Sequence, residues 1–205
     1  MSRILILPIV LTWALMSQAG TVLVVGDSLS AAYNIPVSSG WVSLLADKVD
    51  QYKPGFEVVN ASISGDTTSG GRSRLPALLD EHAPAVVVIE LGGNDGLRAT
   101  PIGVIRDNLT AMIEASRDAG AEVILAGMQL PPSYGRRYTE QFRDLYAELE
   151  ETFDLALIPF FLEGVGDNPD LMQGDGIHPT EDAQPLILKL VWPHLKPLLQ
   201  AAATQ

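Results

Sequence analysis

Residues 85–92 read AVVVIELG, and this stretch decides the fold class. Its apolar residues follow one another without alternation, which is typical of a parallel strand that is buried on both faces. Four further apolar runs lie at residues 21–25, 56–61, 121–127 and 155–160. Segments with apolar residues at three- and four-residue spacing separate these runs and predict helices between them. We therefore expect an α/β fold, a three-layer α/β/α sandwich around a five-stranded parallel sheet.

Prolines predict where several of the helices begin. Thr100 followed by Pro101 predicts an N-cap and a first helical residue. Pro76 is expected to limit the start of a helix over residues 71–82, because proline lacks the N–H that a helix interior uses. For the same reason we expect the last helix to begin only shortly before Pro185.

Length and charge limit the classes of protein to consider. The chain has 205 residues, of which 47% are hydrophobic and 19% are charged, so it is long enough for one well-packed domain. Its formal net charge is −12, which argues against nucleic acid and anionic lipid as partners. The chain contains no cysteine, so neither a disulfide nor a thiolate nucleophile is available. We expect a monomer that acts on a small molecule.

The N-terminus has the layout of a secretory signal peptide. Arg3 precedes an apolar run over residues 4–15, and Ser17-Gln18-Ala19 resembles a cleavage site. The apolar run is shorter than the ~20 residues that a membrane-spanning helix needs. We therefore expect residues 1–19 to be a signal peptide and residues 20–205 to form the mature domain, in the periplasm or outside the cell and without a stable membrane anchor. The alternative is that residues 1–19 form a first buried strand or helix.

Four loops are rich in the residues that carry chemistry. GDSLS at residues 26–30, NASISGDTTSGG at 60–71 and GGND at 92–95 each follow a predicted strand, and DGIHP lies near the C-terminus at 175–179. In open parallel sheets, sites form at the carboxyl ends of the strands. Ordinary turns need one or two such residues, so this concentration indicates a catalytic site.

A serine nucleophile needs a base, and elimination leaves one histidine. His82 ends a predicted surface helix and His194 lies in the last helix, whereas His178 lies in a loop. Asp175 precedes His178 by three residues, a spacing that lets the carboxylate orient the imidazole. The residues therefore predict Ser28 as nucleophile, His178 as base and Asp175 as the orienting acid.

Acyl transfer also requires donors for an oxyanion. Gly65 can present its backbone N–H where a side chain would clash, and Asn94 can offer its side-chain amide. The N–H of Ser28 would add a third donor, aided by the helix dipole if a helix began at that residue.

No metal ion or other cofactor is expected. The chain has no HExxH motif and no His- or Cys-rich ligand cluster. Asp27, Asp66 and Asp95 are interpreted as turn-forming and supporting acids rather than as metal ligands.

The four loops together resemble the sequence blocks of the SGNH (GDSL) hydrolase family. GDSL supplies Ser28, SGD supplies Gly65, GGND supplies Asn94, and DGIHP supplies Asp175 and His178. The resemblance extends over nearly the whole mature chain and implies a flavodoxin-like sandwich. It also implies a serine esterase that hydrolyses carboxylic esters and thioesters, including aryl and alkyl esters, acyl-CoA and lysophospholipid, through an acyl-enzyme. In that family Ser28, Gly65 and Asn94 would form the oxyanion hole.

Two other functions remain open at this point. A carbohydrate O-acetylesterase would use the same catalytic residues with a shallow polar cleft, and a binding module would retain the fold without catalysis. The intact Ser28, Asp175 and His178 argue against the binding module. A lipolytic enzyme needs an apolar acyl channel, for which the apolar residues near the strand ends are candidates. They are Leu97, Met128, Leu130, Pro131, Pro132, Tyr134, Phe160 and Phe161, and we expect Leu97, Leu130, Pro131, Tyr134 and Phe160 to bind substrate.

Overall fold

A single parallel sheet organises the part of the chain that the computed structural model describes, residues 20–202. Its five strands stand in the order β2-β1-β3-β4-β5. The strands are β1 (Gly20–Gly26), β2 (Phe56–Asn60), β3 (Val86–Glu90), β4 (Glu122–Ala126) and β5 (Ala156–Ile158). All four neighbouring pairs are parallel, so the expectation of a five-stranded parallel sheet is confirmed.

Helices cover both faces of the sheet. They are α1 (Trp41–Tyr52), α2 (Thr68–His82), α3 (Gly93–Leu97), α4 (Ile102–Asp118), α5 (Arg136–Phe153) and α6 (Gln184–Ala201). Helix α1 packs on α6, and α4 packs on both α2 and α5. Right-handed crossovers explain this division, because the chain moves one way across the sheet through α1 and the other way through α2, α4 and α5. The result is the expected three-layer sandwich.

The centre of the sheet is apolar throughout. In β1 the four residues from Val22 to Val25 are fully buried, and in β3 so are those from Val86 to Ile89. These strands belong to one buried apolar cluster that also contains aromatic side chains of the helical layers, including Trp41 and Phe142. The reversal of strand order at β1 and β3 places the loops that follow these two strands side by side, at the position where open α/β sheets bind ligands.

Two of the predicted helix starts are wrong. Helix α2 begins at Thr68 rather than at residue 71, because the Thr67 hydroxyl accepts a hydrogen bond from the Gly70 N–H and caps the helix. Pro76 therefore lies inside α2, where it costs one backbone hydrogen bond but does not end the helix. Helix α4 is capped by Pro101 rather than by Thr100.

The start of the last helix agrees with the sequence. Helix α6 begins at Gln184, so Pro185 falls in its first turn, where no backbone N–H is needed. The helix continues to Ala201, with Pro193 and Pro197 in its interior.

The predicted signal peptide, residues 1–19, lies outside the described residues. Within residues 20–202, none of the helices combines the length and the apolar character that crossing a bilayer would require.

Candidate active site

Ser28 lies in a turn directly after the central strand β1. The Ala31 N–H donates to the Asp27 carbonyl at 3.0 Å, and the Tyr33 N–H donates to the Ser28 carbonyl at 3.3 Å. Residues 28–34 form turns and not a helix, so the condition for a helix-dipole contribution at the Ser28 N–H is not met. The hydroxyl of Ser28 is half-buried at the carboxyl edge of the sheet.

A short hairpin-like loop before α6 carries Asp175 and His178. The Gln173 N–H donates to the His178 carbonyl at 2.7 Å, and an antiparallel bridge joins Met172 to Pro179. Gly176 has a φ of +69°, which turns the chain between the acid and the imidazole. The loop thus places the side chains of Asp175 and His178 close enough for a hydrogen bond.

Asp175 holds His178 through both carboxylate oxygens. Oδ1 accepts the backbone N–H groups of Ile177 and His178, at 2.9 and 3.0 Å, and Oδ2 lies 2.7 Å from His178 Nδ1. The bonds from His178 lower the pKa of Asp175 to about 2, with a smaller contribution from the Ile177 N–H. The carboxylate is therefore ionised at neutral pH and fixes the proton of the imidazole on Nδ1.

The remaining imidazole nitrogen faces the serine. His178 Nε2 lies 2.9 Å from Ser28 Oγ, across 150 residues of sequence. The Tyr33 ring packs on the imidazole with 4.2 Å between ring centroids. The three side chains that the sequence selected thus form one hydrogen-bonded series, in which Nε2 is free to accept the hydroxyl proton.

Gly65 lies in the loop between β2 and α2. Its φ of +79° is a left-handed conformation that favours glycine, but a Cβ built on it would meet no atom within 4 Å. The expectation that a side chain would clash at this position is therefore wrong, and backbone conformation is the reason for glycine. Arg98 Nη2 donates to the Gly65 carbonyl at 3.3 Å and helps to hold the loop.

Asn94 lies in the first turn of α3, which begins beside the Ser28 turn. Gly92 precedes α3 with a φ of +116°, and a Cβ there would lie 2.2 Å from the Tyr146 hydroxyl oxygen. Only glycine fits this position, so Gly92 sets the direction in which α3 departs. Asn94 Nδ2 donates to Asp27 Oδ2 at 2.9 Å, which places the amide next to the serine turn.

Two buried acids support the site, and only one of them, Asp27, was expected from the sequence. Asp27 is 2% exposed and Glu90 is fully buried. Glu90 Oε2 accepts from the Ser30 hydroxyl at 2.6 Å and from the Asp27 N–H at 3.2 Å. Glu90 could have been noticed as the one charged residue at the end of an otherwise apolar strand. The sequence alone does not show which residues such a carboxyl group contacts.

Burial raises the pKa of both acids. It raises the pKa of Asp27 to about 6, against the lowering effect of hydrogen bonds from the Leu29 N–H and Asn94. Burial raises the pKa of Glu90 well above its usual range, and the charge of Asp27 raises it further. Burial thus disfavours the charged form of each of these two carboxyl groups.

A cavity of about 660 Å³ opens beside Ser28 and His178. Four of the five residues expected to bind substrate line it, namely Leu97, Leu130, Pro131 and Phe160. Tyr134 is not among the lining residues; its hydroxyl donates to the Leu97 carbonyl at 3.1 Å. Met128 and Pro132 also line the cavity, whereas Phe161 is fully buried and packs on Trp41.

Part of the cavity lining was not predicted from the sequence. The segment before the His178 loop, together with that loop, contributes Leu162, Glu163, Gly166, Asp167, Met172, Gly176 and Ile177. This segment has little regular structure and no apolar period, so its sequence gave no signal for a wall. Within residues 20–202, no group of three or more His, Cys, Asp or Glu side chains is arranged to hold a metal ion.

Known proteins are similar to this chain in sequence and in fold. Residues 24–184 match the model of the GDSL-like lipase/acylhydrolase family. Esterase TesA of Pseudomonas aeruginosa is 52% identical over 200 residues, which are 96% of this chain and 100% of that protein. Thioesterase 1/protease 1/lysophospholipase L1 of Escherichia coli is 46% identical over 183 residues, 89% of this chain and 86% of that protein.

Solved structures agree with the sequence comparison. The crystal structure of TesA superposes with a TM-score of 0.84 at 54% identity, covering 87% of this chain and 99% of that one. The psychrotrophic esterase EstA from Pseudoalteromonas sp., solved with monoethylphosphonate as inhibitor, gives a TM-score of 0.83 at 41% identity, covering 88% of this chain and 99% of that one.

The fold and these matches define a serine hydrolase that acts on carboxylic esters. The chain belongs to the GDSL-like lipase/acylhydrolase family, and the resemblance to SGNH (GDSL) hydrolases is thereby confirmed.

We expect Asn94→Ala to lower kcat by on the order of 10²–10³ while KM changes little. The amide would meet a full negative charge only near the transition state, so its loss weakens ground-state binding much less. Steady-state kinetics on a p-nitrophenyl ester measure both constants, and Gln51→Ala on the exposed side of α1 is the control for loss of an amide side chain. A change confined to KM would assign Asn94 to substrate binding instead.

Proposed function

We propose that the chain hydrolyses carboxylic esters and thioesters in two steps, with Ser28 as nucleophile, His178 as general base and Asp175 as the orienting acid. The substrates proposed are aryl and alkyl esters, acyl-CoA and lysophospholipid. One observation carries the proposal: the hydrogen-bonded series from Asp175 through His178 reaches Ser28 at the edge of a largely apolar cavity.

The geometry supports each proton transfer. His178 Nε2 takes the proton of the Ser28 hydroxyl as Oγ attacks the carbonyl carbon, and the Asp175 carboxylate stabilises the imidazolium that forms. The N–H groups of Ser28 and Gly65 and the amide of Asn94 are the proposed donors to the oxyanion. His178 then protonates the leaving alcohol or thiol, and water repeats the sequence to release the acid.

The cavity supports an acyl group longer than acetyl. Apolar side chains supply much of its lining, including those of Leu29, Leu97, Leu162 and Ile177. A chain buried against such a wall gains about 0.8 kcal/mol for each methylene removed from water. The relatives named arylesterase, from Vibrio mimicus, and thioesterase 1/lysophospholipase L1, from Escherichia coli, support the same range of substrates. A carbohydrate O-acetylesterase removes only an acetyl group and therefore does not need an apolar lining of this extent.

We further propose that residues 1–19 direct export and are removed, so that residues 20–205 act in the periplasm or outside the cell; that they act as a monomer is a separate proposal. The charged start, apolar run and small residues before residue 20 support this. Intact-mass measurement of the protein recovered from the periplasm and the medium checks cleavage after Ala19.

A substrate panel tests the proposed function. It contains p-nitrophenyl esters from acetate to palmitate, an acyl-CoA, a lysophospholipid and an acetylated sugar, with a fluorophosphonate to label the nucleophile. We expect hydrolysis of esters and thioesters with acyl chains longer than acetyl, and labelling of Ser28. Turnover restricted to the acetylated sugar would support the O-acetylesterase, and absence of both turnover and labelling would leave only a binding role.

We expect Leu130→Ala to reduce kcat/KM for p-nitrophenyl octanoate and dodecanoate roughly tenfold more than for the acetate. Leu130 lines the cavity and packs on Gly96 of α3, so its truncation removes contact worth about two methylenes from a long acyl chain. The matched control is Val104→Ala, which truncates an exposed apolar residue of α4. Equal losses on all three esters would show that Leu130 supports the fold rather than the acyl chain.

A further inference from the structure

The side-chain amide of Asn94 can serve the oxyanion in only one of its two orientations. The amide carries a donor nitrogen and an acceptor oxygen of nearly the same shape. With Nδ2 toward the reacting carbonyl it stabilises the oxyanion, whereas a 180° flip would present Oδ1 and repel it. Some neighbour must therefore distinguish the two ends of the amide.

Asp27 is the neighbour that distinguishes them. Its Oδ2 accepts from Asn94 Nδ2 at 2.9 Å, and its Oδ1 accepts from the Leu29 N–H at 3.0 Å. An ionised carboxylate accepts hydrogen bonds and cannot donate them, so only the amide nitrogen can face it. Because one amide hydrogen of Asn94 is bound to Asp27, the second hydrogen remains for another acceptor.

Glu90 holds the backbone of Asp27 in place. Its Oε2 accepts from the N–H of Asp27 and from the hydroxyl of Ser30, which lie on either side of Ser28. Asp27 and Glu90 are both buried, so these contacts are shielded from water. The turn that carries the serine is thus fixed from β3 on one side and linked to α3 on the other.

We infer that Asp27 is a positioning residue for the reaction: its carboxylate fixes the orientation of the Asn94 amide so that one N–H stays directed to the oxyanion, while Glu90 pins the turn that carries Asp27. The inference rests on the proposed function, in which Asn94 is an oxyanion donor. In this role Asp27 acts through Asn94.

Asp27→Asn is the informative substitution because it keeps the shape and removes one acceptor. An asparagine at this position has one acceptor oxygen for two donors, the Leu29 N–H and Asn94 Nδ2. If the oxygen stays with Leu29, the new NH₂ faces Asn94 and favours the flipped amide. A lower kcat with little change in KM follows.

The test is a double-mutant cycle on kcat with a p-nitrophenyl ester, using Asp27→Asn, Asn94→Ala and the double variant in the otherwise intact chain. Assays at pH 8 keep Asp27 ionised, since burial raises its pKa only to about 6. We expect Asp27→Asn alone to lower kcat by on the order of 10–10². In the Asn94→Ala background the same change should lower kcat by about twofold or less, since residues acting as one unit are not additive.

A second cycle, of Asp27→Asn with Leu130→Ala, should be additive and shows that the coupling is specific. Thermal unfolding of each variant checks folding, and Asp27→Ala replaces Asp27→Asn in the same cycle if the latter does not fold. Full additivity between positions 27 and 94, or no loss of kcat in a folded Asp27→Asn protein, overturns the inference. An Asn94→Ala protein with unchanged kcat would instead overturn the oxyanion role of Asn94 in the proposed function.

Discussion

Ser28→Ala is expected to lower kcat by on the order of 10⁴–10⁶ while the protein stays folded. The hydroxyl of Ser28 is the group that His178 Nε2 faces at 2.9 Å, and alanine leaves no nucleophile at that position. The turn itself should survive, because its backbone hydrogen bonds and the contacts of Asp27 and Ser30 with Glu90 do not use the Ser28 side chain. Ester hydrolysis and thermal unfolding measure the two parts of this expectation.

The control for Ser28→Ala is Ser39→Ala, which removes a hydroxyl bonded to Glu181 at the surface. It should hydrolyse esters at the wild-type rate. Fluorophosphonate labelling followed by peptide mass analysis should place the adduct on Ser28 in both the wild type and this control. An Ser28→Ala protein that retains a large share of its activity would show that another residue attacks the ester.

Asp175→Asn should cost kcat about 10⁴-fold, although it changes a single atom. The asparagine oxygen can still accept the backbone N–H groups of Ile177 and His178. Its NH₂ would then face His178 Nδ1 and favour the tautomer that carries its proton on Nε2. That tautomer cannot accept the proton of Ser28, so the geometry survives while the base is lost.

Comparison with Asp170→Asn, an exposed acid of the preceding 3-10 turn, separates this effect from loss of a negative charge near the site. The control should keep the wild-type kcat. Steady-state kinetics at one pH suffice, together with a circular dichroism spectrum of each protein. A loss below tenfold for Asp175→Asn would mean that the imidazole takes its orientation from another contact, such as the Tyr33 ring.

The sheet was predictable because its strands are almost uninterrupted apolar runs. The run around Val88 is apolar from Val86 to Ile89, which is the pattern of a parallel strand buried on both faces. The order of the strands in the sheet was not predicted from the sequence. The start of α2 was not predictable from Pro76, because the cap on Thr67 outweighed the single hydrogen bond that proline removes. The cap at Thr67 therefore determines where α2 begins, whereas the expectation based on Pro76 placed that start three residues too late.

The site was predictable where one short loop carries several polar residues. Asp175 and His178 lie three residues apart, so their contact is local and can be predicted from their spacing in the sequence. The contact of Asp27 with Asn94 joins residues 67 apart and depends on how α3 leaves β3, which only the folded chain determines. Glu90 was missed for a related reason, since its partners lie on a neighbouring strand end.

The hydrogen bond between Ser28 and His178 joins an early turn of the chain to a late one, 150 residues away. During synthesis Ser28 leaves the ribosome long before His178 is added, and four of the five strands, β2 to β5, lie between them in the sequence. A chain interrupted before residue 175 holds a serine with nothing to deprotonate it. With Ser28 and His178 in their proposed roles, hydrolysis is therefore among the last properties that the chain acquires during synthesis. The appearance of esterase activity after dilution from denaturant consequently reports closure of the whole domain rather than formation of any one part.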